Sequence, residues 1–356
     1  MRLVLCTCTA RPRSRIGSLL RRWLPALLAV SVAAHACAQS EPPASACTTQ
    51  SAMTAEMRQS LADTALALAT AIKANDTVRV RSMSAPEIAS NFDSTVFVIH
   101  QTSTAIANDT LRVTQLYRLD ASSRKAEESA EAVFSCPLAG TADEVDFAIP
   151  GLPPGVYAFA IVEATGDRSW LLPVLLAQQG TAWKMAGFYP HPRTVGGHDG
   201  LWFWTTARAD AKAGKKWLAW VLYGQADQLL RPANFISSTH LDQLRSERRT
   251  NAPGELGEGI STDAPLVIKA KDGSEFHFTS IASSATEDGN SLNLVLHYRV
   301  DSIGDPGAAN TRNTAAAAAL LAAHPELREG FSGASVFAEA QGQTPFITAQ
   351  SLAEIH

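Results

Sequence analysis

The sequence has little cysteine, few charged residues and no long hydrophobic run. Five cysteines among 356 residues are too few for a fold built on disulfides. Charged residues make up 18% of the chain and hydrophobic residues 46%, a balance that excludes an intrinsically disordered protein. No apolar run approaches the roughly 20 residues that a transmembrane helix requires. We therefore expect a folded chain that has no membrane span after residue 38.

The first 38 residues lack acidic side chains altogether but contain six arginines. An apolar run of 14 residues, 23–36, follows the arginines, and the small residues around Cys37 end it. This order is typical of a secretory signal peptide, and it predicts cleavage after Ala38, before Gln39. Two alternatives stay open, namely lipid attachment at Cys37 and an N-terminal helix retained as an anchor.

Cleavage before Gln39 would change both the charge and the cysteine content. It would remove six of the 30 basic residues and none of the 34 acidic ones, leaving a net charge of −10. Nucleic-acid binding depends on clustered Lys and Arg, so we expect no nucleic-acid partner. Cys47 and Cys136 would be the remaining cysteines, and in an oxidising compartment we expect them to form a disulfide. Two unpaired thiols are the alternative.

The hydrophobic pattern predicts an α+β protein in several parts. After a flexible tail at 39–52, apolar residues at three- and four-residue spacing predict a helix from 53 to 73. The domain 53–190 continues with a helix after Pro86 and then with strands at 95–100 and 111–119. Five further short strands, joined by Pro- and Gly-rich turns, predict an antiparallel meander that ends at Phe188.

The second half of the chain returns to helical periodicity and then to strands. Residues 191–249 form the predicted helical segment, with helices at 201–213, 215–230 and about 238–248. Residues 250–264, rich in Gly, predict a linker. The pattern of 265–356 predicts a small α+β domain with the order β-β-β-α-β-β.

Several stretches resemble known families. The helix and meander ending at Trp183–Phe188 resemble the α+β roll of cystatin-like and ketosteroid-isomerase-like domains, whereas Leu152–Tyr157 resembles the turn into a strand of prealbumin-like sandwich modules. A roll and a sandwich therefore both stay open. Ala219, Tyr223 and Ala226 have the spacing of the latter half of one tetratricopeptide unit. The stretch from Gly197 to Pro232 resembles the core of a family of uncharacterised bacterial secreted proteins, which implies no reaction.

Specific catalytic signatures are absent from the sequence. It contains no His-Glu-x-x-His, Cys-x-x-Cys or Gly-x-Ser-x-Gly motif and no phosphate-binding loop, and we expect no cofactor. These absences favour a non-catalytic binding or assembly protein of the cell envelope. The alternative is a hydrolase or isomerase with an unrecognised site in a cavity of the N-terminal domain. Such an enzyme would need a carboxyl group with a strongly raised pKa, and the candidates are Asp93, Asp120, Asp146 and Glu163.

An aromatic cluster is the most unusual feature of the sequence. It comprises Trp202, Trp204, Trp217, Trp220 and Tyr223. Since Trp is costly to expose, one interpretation is a helical hairpin that docks against the N-terminal domain, near Phe188 and Tyr189, with these rings as the interdomain core. The other is an aromatic groove that binds a peptide, lipid or glycan. Because residues two apart cannot share a helix face, we expect Trp204 and Trp220 to be buried and Trp202 to be exposed.

The turn before this hairpin contains His198 and Asp199. Asp199 directly precedes a helix, so we expect it to act as the N-cap. His198 joins the aromatic residues as a candidate ligand-binding residue. A metal would need further ligands besides His198, and His191 is the nearby candidate in sequence, so we assign no metal site.

Overall fold

The computed structural model describes residues 46–125, 130–257 and 259–356. The predicted signal segment 1–38, the alternative lipid anchor at Cys37 and the first part of the predicted tail lie outside these residues. Within the described part the chain has an α+β fold, as predicted. None of the helices described is long and apolar enough to cross a membrane.

The first part of the described chain combines four helices with seven strands. In chain order they are β1 (Ala46–Thr49), α1 (Ala55–Lys73), α2 (Thr77–Ser82), α3 (Pro86–Ser90), α4 (Asp93–Ala105), β2 (Thr110–Asp120), β3 (Ala132–Pro137), β4 (Glu144–Ile149), β5 (Val156–Thr165), β6 (Trp170–Gln179) and β7 (Ala182–Phe188).

The rest of the described chain contains three further helices, then a sheet with one helix. These elements are β8 (His191–Pro192), β9 (Thr194–Val195), β10 (His198–Asp199), α5 (Gly200–Lys212), α6 (Lys216–Leu230), β11 (Ile236–Ser238), α7 (Thr239–Thr250), β12 (Leu266–Lys269), β13 (Glu275–Ala285), β14 (Leu292–Arg299), α8 (Pro306–Ala323), β15 (Gly333–Glu339) and β16 (Phe346–Ser351).

A central sheet with the strand order β1-β2-β5-β6-β7 organises the first part of the chain. Alternate residues of each strand point to opposite faces of the sheet. On β5, Ala158, Ala160 and Val162 pack toward α1 and α4, whereas Phe159 and Ile161 pack toward a second sheet. The central sheet is therefore buried on both faces, by helices on one side and by strands on the other.

The second sheet is small and has the order β11-β4-β3. The predicted meander is therefore only partly correct. The β3-β4 hairpin leaves it and packs on the face of the central sheet opposite the helices, together with β11 from the later helical segment. The apolar side of this hairpin, which contains Phe134 and Phe147, covers that face. The domain thus combines the helix-backed sheet of a roll with a sandwich-like second layer.

The predicted strand 95–100 is wrong, because these residues lie inside α4. Their β-branched residues suggested a strand, but local propensity is weaker than packing in tertiary context. Ile99, Thr102 and Ile106 are buried at helical spacing, and Ile99 and Ile106 belong to the core that contains α1. The helix buries one apolar stripe in this way, which a strand over the same residues would divide between two faces.

The predicted flexible tail is also wrong for its described residues. Residues 46–49 form β1, which pairs antiparallel with β2, and residues 50–52 form a short 3₁₀ turn. Cys47 on β1 and Cys136 on β3 are joined in a disulfide with Cα atoms 5.3 Å apart, as predicted. The disulfide connects the edge of the central sheet to the small sheet, so residues 46–49 are held by covalent bonding and by strand pairing.

We expect replacement of both cysteines, Cys47→Ala with Cys136→Ala, to lower the free energy of unfolding. Closing a loop across a sequence separation of 89 residues is worth about 4–5 kcal/mol in the chain-entropy model. Urea unfolding of the oxidised protein and the double variant measures the difference. Reductant should destabilise the natural protein and leave the variant unchanged. Free thiol at both positions in the native protein would contradict the assignment.

The C-terminal sheet has the order β12-β13-β14-β15-β16 and the predicted β-β-β-α-β-β sequence of elements. Strands β14 and β15 are parallel and α8 connects them. One face of this sheet packs against α8, α6 and α5 in a single hydrophobic core. The helical segment 191–249 and the domain 265–356 therefore share one core. The stretch predicted as a linker contributes to the same core through Leu256.

Candidate functional site

A cleft of about 850 Å³ lies between the central sheet and the small sheet. Its apolar wall includes Phe147, Phe159, Ile161 and Leu171 from the two sheets. The end of α6 and the segment β11-α7 close one side of it, through Leu230, Pro232, Ile236 and Leu241. A cleft of this size suits a small-molecule ligand.

A buried carboxylate lies in the cleft wall. Glu163 belongs to the same row of β5 as Phe159 and Ile161, and only 7% of its surface is exposed. Its Oε2 accepts a hydrogen bond from Arg112 Nη2 at 3.1 Å, and its Oε1 accepts one from Arg193 Nη1. Burying a carboxylate is costly unless it is paired, and these two guanidinium groups provide the pairing.

A β-bulge at Thr114 brings Arg112 to this side of the sheet. The register between β2 and β5 shifts between Val113 and Gln115. An extra residue in one strand reverses which face the residues on either side of it occupy. Leu111 and Val113 therefore pack toward the helices, and Arg112 lies opposite Glu163 on the cleft side. Without the bulge, Arg112 would point into the apolar layer under α1.

Arg58 is the third guanidinium group of the cleft. It lies one helical turn before Leu61 on the stripe of α1 that faces the sheet. Its Nη1 donates to the backbone oxygen of Gln50 at 3.2 Å. Among the described residues no carboxylate forms an ion pair with Arg58, whereas Arg112 and Arg193 are both paired with Glu163. Three cations and one anion give the cleft lining two excess positive charges.

The structure separates the four carboxyl groups considered for catalysis. Glu163 lines the cleft and is ion-paired, as described above. Asp120 lies outside the lining, and hydrogen bonds from Ser122 lower the pKa of its carboxyl. Asp146 accepts a hydrogen bond from Ser135 Oγ at 2.6 Å on the small sheet, and Asp93 lies in the first turn of α4.

The aromatic hairpin does not dock where it was predicted. Trp204, Trp217 and Trp220 are buried, as is Tyr223, but their core is shared with the C-terminal sheet. Helix α6 is apolar on nearly every side, so it needs partners all around it, and α5, α7 and β13 supply them. Tyr189 contacts Phe235 instead, with ring centroids 5.1 Å apart. The prediction of an interdomain core near Phe188 and Tyr189 is therefore wrong.

Trp204 connects α5 to α7 through a charged pair. Its Nε1 donates to Glu247 Oε2 at 2.8 Å, and Arg208 donates two hydrogen bonds to the same carboxylate, both at 2.7 Å. The Arg208 guanidinium also lies 4.4 Å from the centre of the Trp204 ring. These bonds, those from Arg208 above all, lower the pKa of Glu247 to about 2.

Trp202 is 42% exposed, as the spacing predicts. Its ring stacks on that of His198, with centroids 3.7 Å apart, and both residues line a groove of about 470 Å³. Asp199 caps α5, since its Oδ1 accepts from the Trp202 backbone N–H at 2.9 Å. Of the residues predicted to bind a ligand, Trp202 and His198 are therefore brought together at the surface, and the others are largely buried.

Among the described residues, no three His, Cys, Asp or Glu side chains form a group that could hold a metal ion. His191 lies on β8, and burial lowers the pKa of its imidazole. The His198 ring stacks on Trp202, and no second metal-ligating side chain among the described residues joins it in a group that could hold an ion.

Sequence reasoning did not select the three arginines of the cleft. Glu163 was visible as a single charge at the end of an apolar strand, and Arg58 continues the apolar stripe of α1 at the positions of Leu61 and Ala65. No sequence signal indicates Arg112, because the bulge decides its side of the sheet.

Comparisons of the chain with family models, with curated proteins and with solved structures give no match. The resemblances noted from the sequence therefore stay predictions.

We expect Trp204→Ala and Trp220→Ala each to lower the free energy of unfolding by roughly 3–5 kcal/mol, as large-to-small changes in a core do. Trp202→Ala should cost less than about 1 kcal/mol, because the ring is at the surface. Denaturant unfolding of the three single variants measures this. Losses below about 1 kcal/mol for both buried positions would refute a structural role for them.

The low pKa of Glu247 predicts a pH dependence of stability. The carboxyl titrates near 4.5 in the unfolded chain and at about 2 in the folded one, so the folded state favours the ionised form. This contribution is complete above pH 4.5 and is lost as the pH falls toward 2. Glu247→Gln should flatten the fall of stability over that range. Glu131→Gln, at an exposed residue, is the control, and equal pH profiles for the two variants would contradict the assignment.

Proposed function

We propose that this protein is a non-catalytic binding protein outside the cytoplasm, and that its ligand is an apolar molecule with one anionic head group. The observation that carries the proposal is the cleft between the two sheets, which combines an apolar wall with an excess of guanidinium groups.

The apolar wall supports a hydrophobic ligand body. Phe159, Ile161 and Leu171 of the central sheet line one side of the cleft, and Phe147 and Ile236 of the small sheet line the other. The rings of Phe147 and Phe159 are fully buried and lie 5.4 Å apart, so a ligand would contact the rest of the lining instead. Its half-buried apolar side chains would lose surface to the ligand, at about 25 cal/mol per Å², and they are Leu138, Val145, Leu171, Leu230 and Pro232.

The charges of the lining support an anionic head group. The cleft carries two excess positive charges in a chain whose formal net charge is −4. A positive site in an acidic protein selects anions by local field rather than by overall charge. Arg58 is the favoured contact, because Glu163 already pairs with Arg112 and Arg193. A carboxylate would receive charge-assisted hydrogen bonds from the donors of Arg58 that remain.

The state of Glu163 supports binding over catalysis. Both of its oxygens accept hydrogen bonds from guanidinium groups. To accept a proton in a reaction, Glu163 would first have to break one of these ion pairs. Of the four carboxyl groups considered for an enzyme, it is the one that lines the cleft.

A location outside the cytoplasm is supported by two independent observations. The Cys47–Cys136 disulfide is of a kind that forms in oxidising compartments. The arginine-rich and then apolar sequence of residues 2–36 is typical of a secretory signal.

Titration calorimetry with decanoate tests the ligand class. We expect decanoate to bind, acetate to fail because it lacks the apolar body, and decan-1-ol to bind at least about tenfold more weakly because it lacks the charge. Arg58→Gln should weaken decanoate binding by roughly tenfold or more and leave decan-1-ol binding unchanged.

Arg79→Gln is the matched control, since it removes one exposed arginine of α2 that lies outside the cleft lining. Equal loss of decanoate affinity in this variant and in Arg58→Gln would indicate a general charge effect and overturn the assignment. So would equal affinities for decanoate and decan-1-ol.

A further inference from the structure

A second cleft lies between α6, α7 and β13 and shares no lining residue with the cleft between the two sheets. Its volume is about 540 Å³, and Trp220, Gly224, Arg248 and Ser283 are among the residues that line it. Arg231 and Arg249 also line it, and Asp227 is the one acidic residue described in the lining. Three guanidinium groups thus face one carboxylate.

Arg248 is held flat against α6. Its guanidinium carbon lies 4.2 Å from the centre of the Trp220 ring, and its Nε donates to the Trp220 backbone oxygen at 3.1 Å. This stacking and this single bond orient the guanidinium plane, and Nη2 lies over Gly224 of α6. Neither terminal nitrogen has a hydrogen-bond partner among the described residues, and neither is closed off from solvent.

The one carboxylate in the lining is used elsewhere. Asp227 Oδ1 accepts from Arg245 Nε at 2.9 Å, and its Oδ2 lies 3.1 Å from Arg231 Nη2. Arg248 forms no ion pair in the part of the chain that the structure describes. Burial lowers the pKa of its guanidinium, and the charge of Asp227 opposes that shift. A partly buried cation is costly when the one carboxylate beside it in the lining is already paired with two other guanidinium groups.

Gly224 shows that the sequence accommodates this arrangement. It lies in the interior of α6, where Gly is about 1 kcal/mol less favourable than Ala. A Cβ at Gly224 would lie 3.2 Å from Arg248 Nη2, closer than an ordinary contact. The absent side chain leaves the space in which the guanidinium lies against the helix.

We propose that this cleft is an oxyanion-binding site in which the terminal nitrogens of Arg248 hold a phosphate or carboxylate group. The planar fork of a guanidinium matches both groups with two parallel hydrogen bonds. The fixed plane of Arg248 lowers the ordering cost of such a contact. The excess of cations in the lining attracts the same kind of ligand.

Titration calorimetry with inorganic phosphate and with citrate tests the site, in buffers of equal ionic strength set with chloride. We expect at least one of the two to bind the full protein, and the stronger of them identifies the oxyanion. Arg248→Met retains an apolar stem on Trp220 and removes the fork, so it should weaken that binding by roughly tenfold or more. Arg248→Lys retains the charge without the fork and should bind with intermediate affinity.

Arg81→Gln is the matched control. Arg81 also lies over an aromatic ring, that of Phe92, at 5.7 Å and donates through Nε to the backbone oxygen of Ala89, but it lines neither this cleft nor the first one. It should leave anion binding unchanged. Absence of binding by both anions, or equal affinity in the natural protein and both Arg248 variants, would overturn the proposal. If Arg248→Met does not fold, the comparison with Arg248→Lys decides.

Discussion

Burial of β5 on both faces is the constraint on which the first half of the molecule depends. Its small residues, Ala158 and Ala160 among them, allow α1 to pack closely, and its larger residues, Phe159 and Ile161, meet the small sheet. A strand covered on both sides has no room for an unpaired charge, yet Glu163 continues the row toward the small sheet. The ion pairs with Arg112 and Arg193 make that position possible and place charge at the margin of an apolar cleft.

The second sheet turns this buried face into a cleft. The β3-β4 hairpin and β11 cover most of the face, and the Cys47–Cys136 disulfide connects β1 to β3. Because β11 precedes α7 directly, the small sheet also joins the first part of the chain to the helical segment. The segment around β11, with Pro232, Ile236 and Leu241, consequently lies in the wall of a cleft that is built mostly from the first part.

Arginine side chains perform different tasks at comparable positions. Arg208 donates two hydrogen bonds to the Glu247 carboxylate and so helps to attach α5 to α7. Arg248 also stacks on a Trp ring, yet no carboxylate among the described residues forms an ion pair with it. The difference distinguishes a structural ion pair from the oxyanion site that we propose. Arg58 differs from Arg112 in the same way, because Arg112 pairs with Glu163 and Arg58 has no carboxylate partner among the described residues.

Periodicity alone indicated much of the fold. The stripe of Leu61, Ala65 and Leu68 predicts α1, the three-residue advance from Trp217 predicts α6, and the turn chemistry predicts the β-β-β-α-β-β order of the C-terminal part. The two cysteines outside the predicted signal segment indicated their own pairing. These features depend on neighbours along the chain or on simple counting, so a single sequence contains them.

Tertiary packing decided the rest. The residues 95–100 carry strand propensity but form a helix, since α1 offers one apolar stripe to bury against. The partner of the aromatic hairpin depends on which apolar surface lies nearest in space, and that surface is the C-terminal sheet. The bulge at Thr114 sets the side of the sheet on which Arg112 lies. A one-residue register shift changes no local pattern but reverses the face of a side chain. The sequence by itself therefore determined most of the elements, and only their packing decided where the charges meet.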